Sequence, residues 1–309
     1  MTGQKVHFPK LALFTISAQR GRALLHAMRP LDWIKNLIVF AALFFSGHAN
    51  EFTLFTAVLL VFAAFCAMSS AVYLFNDIMD RHRDRVHPDK RNRPIAAGTL
   101  PVSTAGVAAG ILVLTALALV SFSTSAWIML LLYGLMNVLY TLRLKNIVIL
   151  DLFTIALGFV LRVYAGSVVI NVQPSSWLIS ATFLLSLVLG LGKRRHELLL
   201  MEERAESHRP VLEMYSVQLV DQLMALVAPV TLVTYLLYTL DPKTIAHFNS
   251  HGLYWTGAFV AFGIFRYLFL VHRRDLGSSP TLLLFQDAPL RWNLVAWVVA
   301  FWFIVYFEQ

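Results

Sequence analysis

Charge is what this chain has least of. Only 14% of its 309 residues are Asp, Glu, Lys or Arg, and 58% are hydrophobic, whereas a soluble domain carries roughly a quarter charged residues. One soluble core cannot account for the shortfall, because the apolar residues fall in runs of about twenty, the length a helix needs to cross hydrocarbon. A single cysteine, Cys66, lies inside such a run, which excludes a disulfide framework and a thiolate metal site. The first thirty residues hold only the short apolar stretch Leu11–Ile16. They read as a cytoplasmic segment, interfacial or unordered, and not as a span or a cleaved leader.

What is present is an alternation. Nine apolar runs are expected to span the membrane, roughly 32–48, 53–76, 103–121, 125–141, 148–170, 175–192, 218–240, 254–271 and 291–307. The first is the weakest, with Trp33, Lys35 and Asn36 near its start. All but three of the chain's 25 Lys and Arg residues lie in the N-terminal segment or the loops after the even-numbered spans. The exceptions are Lys243, on the other side, and Arg162 and Arg266 within spans. Basic loops stay in the cytoplasm, so the N-terminus is expected inside and the C-terminus outside. The net charge of +8 is then largely a topology signal, and no basic module for nucleic acid is visible.

The second run ends in Asn76-Asp77-Ile78-Met79-Asp80-Arg81-His82-Arg83-Asp84. As a helix, Asp77, Asp80 and Asp84 share an arc of about 60°. Three carboxylates on one face repel unless cations intervene, and Mg²⁺ bridges one or two carboxylates to substrate phosphates. Asn76 adds an amide oxygen. The following loop supplies Lys90, Arg91 and Arg93 as phosphate donors. A solvated basic loop obeying the charge rule is the plainer alternative, but it gives no reason for the three aligned aspartates.

NDxxDxxxD followed by KRxRPIAAG resembles the first Asp-rich motif of the UbiA-type prenyltransferases. The resemblance runs along nearly the whole chain. It implies an all-α integral membrane fold of nine helices around a central cavity open to the cytoplasm, as one domain over 31–309, with Mg²⁺ and a diphosphate at the cavity mouth. The chain departs from the common pattern after the sixth span. A second Asp-rich motif is lacking, and Gly192-Lys193-Arg194-Arg195-His196-Glu197-Leu198 stands in its place. That run, with Arg29–Asn36, KRxRPIAAG, Tyr140–Lys145 with Asp151, and Arg209–Tyr215, is similar to the branch that moves 5-phosphoribose from phosphoribosyl diphosphate onto decaprenyl phosphate.

This likeness implies catalytic roles for Asp77, Asp80, Asp84 and Lys193, with Asn76, Asp77, Asp80 and Asp84 on the metal. It implies substrate contacts for Lys35, Asn36, Asn76, Arg91, Arg93, Tyr140, Lys145, Asp151, Arg162, Arg194 and Glu197. An aromatic prenyltransferase using a polyprenyl diphosphate is the alternative chemistry; a transporter is disfavoured because no internal repeat is seen. Arg162, mid-span and on one face with Asp151, Gly158 and Gly166, suggests either a polar cavity wall or an inter-helix ion pair, since an unpaired charge there costs several kcal/mol. Arg266 is expected to snorkel to the interface. Residues 204–209 are expected to form a helix and turn that closes over the site.

Overall fold

Within hydrocarbon no water competes for backbone N–H and C=O groups, so an apolar run satisfies them internally by becoming helical. The computed structural model describes residues 9–48, 50–87, 90–204, 212, 214–273 and 280–307, and all regular structure among them is helical. In chain order the α-helices are α1 (Pro9–Met28), α2 (Ala41–Phe45), α3 (Phe52–Val86), α4 (Val102–Leu119), α5 (Thr124–Leu142) and α6 (Leu150–Val169). There follow α7 (Ser176–Arg204), α8 (Val217–Leu240), α9 (Pro242–Phe248), α10 (Gly257–Arg273), α11 (Pro280–Gln286) and α12 (Ala288–Phe307). Side-chain caps set several starts. Ser123 Oγ accepts from the Ala126 N–H at 3.3 Å, Ser216 Oγ from Leu219 at 3.1 Å, and Asp287 Oδ1 from Leu290 at 2.9 Å. Each such cap contributes about 1 kcal/mol.

Eight described helices are long and apolar enough to cross a membrane, and the protein is a multi-pass membrane protein. They correspond to the second through ninth expected runs. The first run differs: Pro30–Phe40 is a 3₁₀ helix, followed by the short α2. At rises of roughly 2.0 and 1.5 Å per residue, the two together extend about 30 Å. Residues 9–28 are helical, and Ala27 is buried in a cluster with Leu74, Ile95, Leu100 and Ala105.

α3 and α6 form the middle of the bundle, each with about half of its apolar part buried, while α4 and α12 lie on the outside and are mostly exposed. The 3₁₀ helix packs directly on α6, because Gly166 has no side chain. A Cβ there would lie 1.9 Å from the Val39 carbonyl oxygen. At the far end of the bundle from residues 77–84, Phe44, Phe45, Tyr235, Tyr238, Trp297 and Phe301 form an aromatic cluster.

Candidate functional site

α3 runs on past its apolar part to Val86, and the turn after it folds back along the helix. Ala97 and Gly98 donate backbone bonds to the Arg93 and Ile95 carbonyls, and Gly98 takes φ +79°. Glycine is suited to that left-handed position because it has no Cβ. Buried Ile95 and Leu100 anchor the turn, and the Arg85 Nε donates to the Ala96 carbonyl at 3.0 Å. Arg93 is thereby held beside the aspartates.

The three aspartates do not gather into one carboxylate cage. Among the described residues, no three His, Cys, Asp or Glu side chains are placed to hold a metal ion. Each aspartate instead meets a cation. The Arg93 Nη1 lies 3.1 Å from Asp77 Oδ1 and 2.8 Å from Asp84 Oδ2. Arg29 Nη2 reaches the same Asp77 oxygen at 2.7 Å. Asp80, offset by about 60° from Asp77 and about 40° from Asp84, turns to the buried Lys145, whose ammonium donates to both its oxygens at 2.7 and 2.8 Å. Asn76 accepts from the Thr141 hydroxyl at 3.4 Å. One guanidinium nitrogen bridges carboxylates two turns apart, and hard carboxylate oxygens are the donor type that a divalent cation takes.

A second ion cluster joins α6 and α7. Asp151 is fully buried and accepts from Arg194 and from the Tyr215 hydroxyl, the latter at 2.8 Å. Arg194 also donates to Glu197 at 2.5 Å, while its Nε is buried without a hydrogen-bond partner. The Tyr215 oxygen in turn accepts from the Ile149 N–H at 2.6 Å. Burial first, then the hydrogen bond to the Asp151 carboxylate and its charge, push the Tyr215 phenol up to about 12. Ile149, at φ 68°, is a β-branched residue in a region such residues rarely adopt. It lies in the short connection that carries Lys145 to the first cluster and opens α6 at the second.

The expected site residues therefore divide. Asp77, Asp80, Asp84, Arg93 and Lys145 come together. Arg91 is exposed on the same turn, Tyr140 is half-buried near the end of α5, and the Lys193 side chain is 54% exposed with its ammonium 4.0 Å from Glu197. Arg194 gives its two Nη nitrogens to Asp151 and Glu197, which ties all three into one buried cluster between α6 and α7. Lys35 pairs with Asp32. Asn36 is buried, with its amide nitrogen 3.3 Å from both Cys66 Sγ and Ser69 Oγ and its oxygen accepting from Arg162 Nε at 2.7 Å.

Among the described residues Arg162 has no ion-pair partner, and it is buried. Its other nitrogens donate to the Gly158 carbonyl and the Tyr133 hydroxyl, both at 2.8 Å, and Tyr133, Phe159 and Phe65 surround the guanidinium. Neutral acceptors and ring faces replace a counter-ion, which ties α6 to the 3₁₀ helix, α3 and α5. Arg266 does not snorkel free; it forms a two-pronged pair with Asp287 at 3.1 and 2.8 Å. Residues 205–209 of the expected lid lie outside the described residues. Sequence reasoning did not place Arg29 in the site, although the Arg29–Asn36 run is among the segments that carry the resemblance.

The UbiA prenyltransferase family model matches residues 36–295. A decaprenyl-phosphate phosphoribosyltransferase of Corynebacterium glutamicum is 32% identical over 92% of this chain and 86% of its own length. That of Mycolicibacterium smegmatis is 31% identical over 92% and 93%. Among solved structures, a UbiA homolog from Archaeoglobus fulgidus bound to DMAPP and Mg²⁺ superimposes with a TM-score of 0.69 at 17% identity, covering 92% of this chain and 99% of that one.

Proposed function

The chain belongs to the UbiA prenyltransferase family, and we propose that it transfers 5-phosphoribose from phosphoribosyl diphosphate to a polyprenyl phosphate with Mg²⁺, releasing diphosphate. The similarity to relatives of that named activity over 92% of the chain carries this reading. The cation-rich run at Lys193, where a second Asp-rich motif is lacking, supports it, because both proposed substrates bring extra phosphate.

Asn76, Asp77, Asp80 and Asp84 are the oxygen donors that would hold Mg²⁺, which supplies Lewis acidity to the departing diphosphate. Arg91 and Arg93 donate to phosphate oxygens there, and the exposed Lys193 offers its ammonium to the sugar 5-phosphate. The lipid phosphate oxygen bonds to the anomeric carbon as the bond from that carbon to diphosphate breaks, its electron pair leaving with the diphosphate. The acceptor is already anionic near neutral pH, so the step needs no strong general base. Asn36 and Arg162 brace the wall formed by α6, and Asp151, Arg194 and Glu197 hold α7 so that Lys193 faces outward. With the basic loops in the cytoplasm of a bacterial-type plasma membrane, the site opens there, residues 1–30 form the cytoplasmic segment, and 31–309 form one transmembrane domain.

The test is a radiolabelled phosphoribosyl diphosphate assay on purified protein with polyprenyl phosphates of several lengths. Label should pass to lipid only when Mg²⁺ and a polyprenyl phosphate are both present. Consumption of a prenyl diphosphate with an aromatic acceptor, and none of the labelled sugar, would replace this reading with aromatic prenyl transfer.

A further inference from the structure

Arg29 stands at a conspicuous junction. It is the single residue between α1 and the 3₁₀ helix, and it adopts φ 54°, ψ 62°, although a residue before proline favours extended backbone. Neighbouring bonds hold that shape. The Asp32 N–H donates to the Arg29 carbonyl at 2.9 Å, and Ser70 Oγ donates to the Met28 carbonyl at 3.0 Å. The conformation aims the guanidinium at α3, where it lies 4.6 Å from the Tyr73 ring centroid and 2.7 Å from Asp77 Oδ1. Tyr73 and Asp77 are one helical turn apart, so they grip the same cation together.

Among the described residues, the ion pairs around this point match in charge. Asp77, Asp80 and Asp84 meet Arg29, Arg93 and Lys145, three negative groups against three positive. Asp77 is 2% exposed, so screening by solvent there is weak. A divalent cation arriving alone must compete with Arg29 and Arg93 for Asp77 and leaves the cluster with surplus positive charge. A diphosphate arriving with it removes the surplus and gives the displaced guanidiniums new acceptors.

We propose that Arg29 is a positioning residue that exchanges Asp77 for the diphosphate, so that metal and diphosphate bind as a coupled pair. Tyr73 keeps the guanidinium beside the site during the exchange. Coupling of this kind is reciprocal: each ligand tightens the other by the same factor. The proposal rests on the diphosphate-binding reading of this site but not on which diphosphate is the donor.

The experiment is equilibrium dialysis of the full chain in detergent with Mn²⁺, with and without inorganic diphosphate, on wild type, Arg29→Ala and Arg29→Lys. Neither probe contains sugar or lipid, so the outcome is separate from that of the transfer assay. Wild type should retain Mn²⁺ about tenfold or more tightly with diphosphate present. Arg29→Ala should hold Mn²⁺ alone about tenfold tighter than wild type and lose most of the gain from diphosphate. Arg29→Lys should restore the wild-type pattern, which a merely structural arginine would not require. Equal Mn²⁺ affinity in wild type with and without diphosphate overturns the proposal, whether or not the variants fold. So does a folded Arg29→Ala that holds Mn²⁺ alone no tighter than wild type.

Discussion

Asp151 and Arg194 form an ion pair between α6 and α7 in which 0% and 4% of the two side chains are exposed. Removing one partner from such a pair strands a buried charge and costs about 3–5 kcal/mol. Arg194→Ala and Asp151→Ala should each lower the melting temperature of the purified protein sharply, with activity falling in proportion to folded protein. Variants that melt like wild type would show that the pair is not structural, and would return Arg194 to the pool of substrate donors.

Lys193, the neighbour of Arg194, should behave in the opposite way. Its side chain is 54% exposed, and surface substitutions away from special features usually change stability by less than about 0.5 kcal/mol. Lys193→Ala should keep the wild-type melting temperature yet lose about ten- to a hundredfold in kcat/KM for the sugar donor, the equivalent of one charge-assisted contact. Unchanged kinetics would remove Lys193 from the site.

Asp77→Asn and Asp80→Asn keep shape and remove charge. Each should cut turnover by about a hundredfold or more, in line with loss of metal-assisted charge stabilisation. Asp80→Asn should also destabilise the fold, because Lys145 is then left as a buried ammonium. Comparing turnover with thermal stability separates the two effects, and an active Asp80→Asn enzyme would exclude that carboxylate from the chemistry.

Gly166→Ala tests the seat of the 3₁₀ helix. The added methyl would overlap the Val39 backbone oxygen, and backbone cannot step aside as a flexible side chain can. A loss of about 1–3 kcal/mol is expected from forced overpacking. Gly158→Ala should cost less, since the nearest atom is the Met136 methyl at 3.3 Å. Equal melting temperatures for the two variants would contradict the close approach.

Tyr215 carries a pH signature. Its phenol is raised to about 12 from an ordinary value near 10, so the folded state keeps a proton that the unfolded chain releases. The contribution is therefore complete below about pH 10 and is lost as pH climbs from there toward 12. Tyr215→Phe should flatten the alkaline fall in melting temperature while lowering stability at neutral pH through loss of the bonds to Asp151 and Ile149. An alkaline slope identical to wild type would rule out Tyr215 as its source.

The aspartate face was legible because helical spacing alone puts residues 77, 80 and 84 on one arc. The partners of those aspartates were not. Arg29 is 48 positions from Asp77 and Lys145 is 65 from Asp80, and no local pattern encodes such pairings. Arg194 looked like its neighbour Lys193 in sequence, yet one helical step turns the first toward Asp151 and leaves the second exposed.

What the sequence determined by itself is the solvent, the helical class and the residue types at the site, because hydrocarbon tolerates only backbone that bonds itself and because carboxylates and guanidiniums are scarce enough here to be conspicuous. What only the tertiary structure decided is which charges neutralise one another. The first apolar run is a 3₁₀ helix seated against Gly166, and Arg162 found neutral partners instead of an ion. Arg29 came to Asp77 through a backbone conformation that Pro30 opposes and that one local bond from Asp32 and one long-range bond from Ser70 hold. Burial makes each of these pairings strong, and burial is a property of the packed bundle.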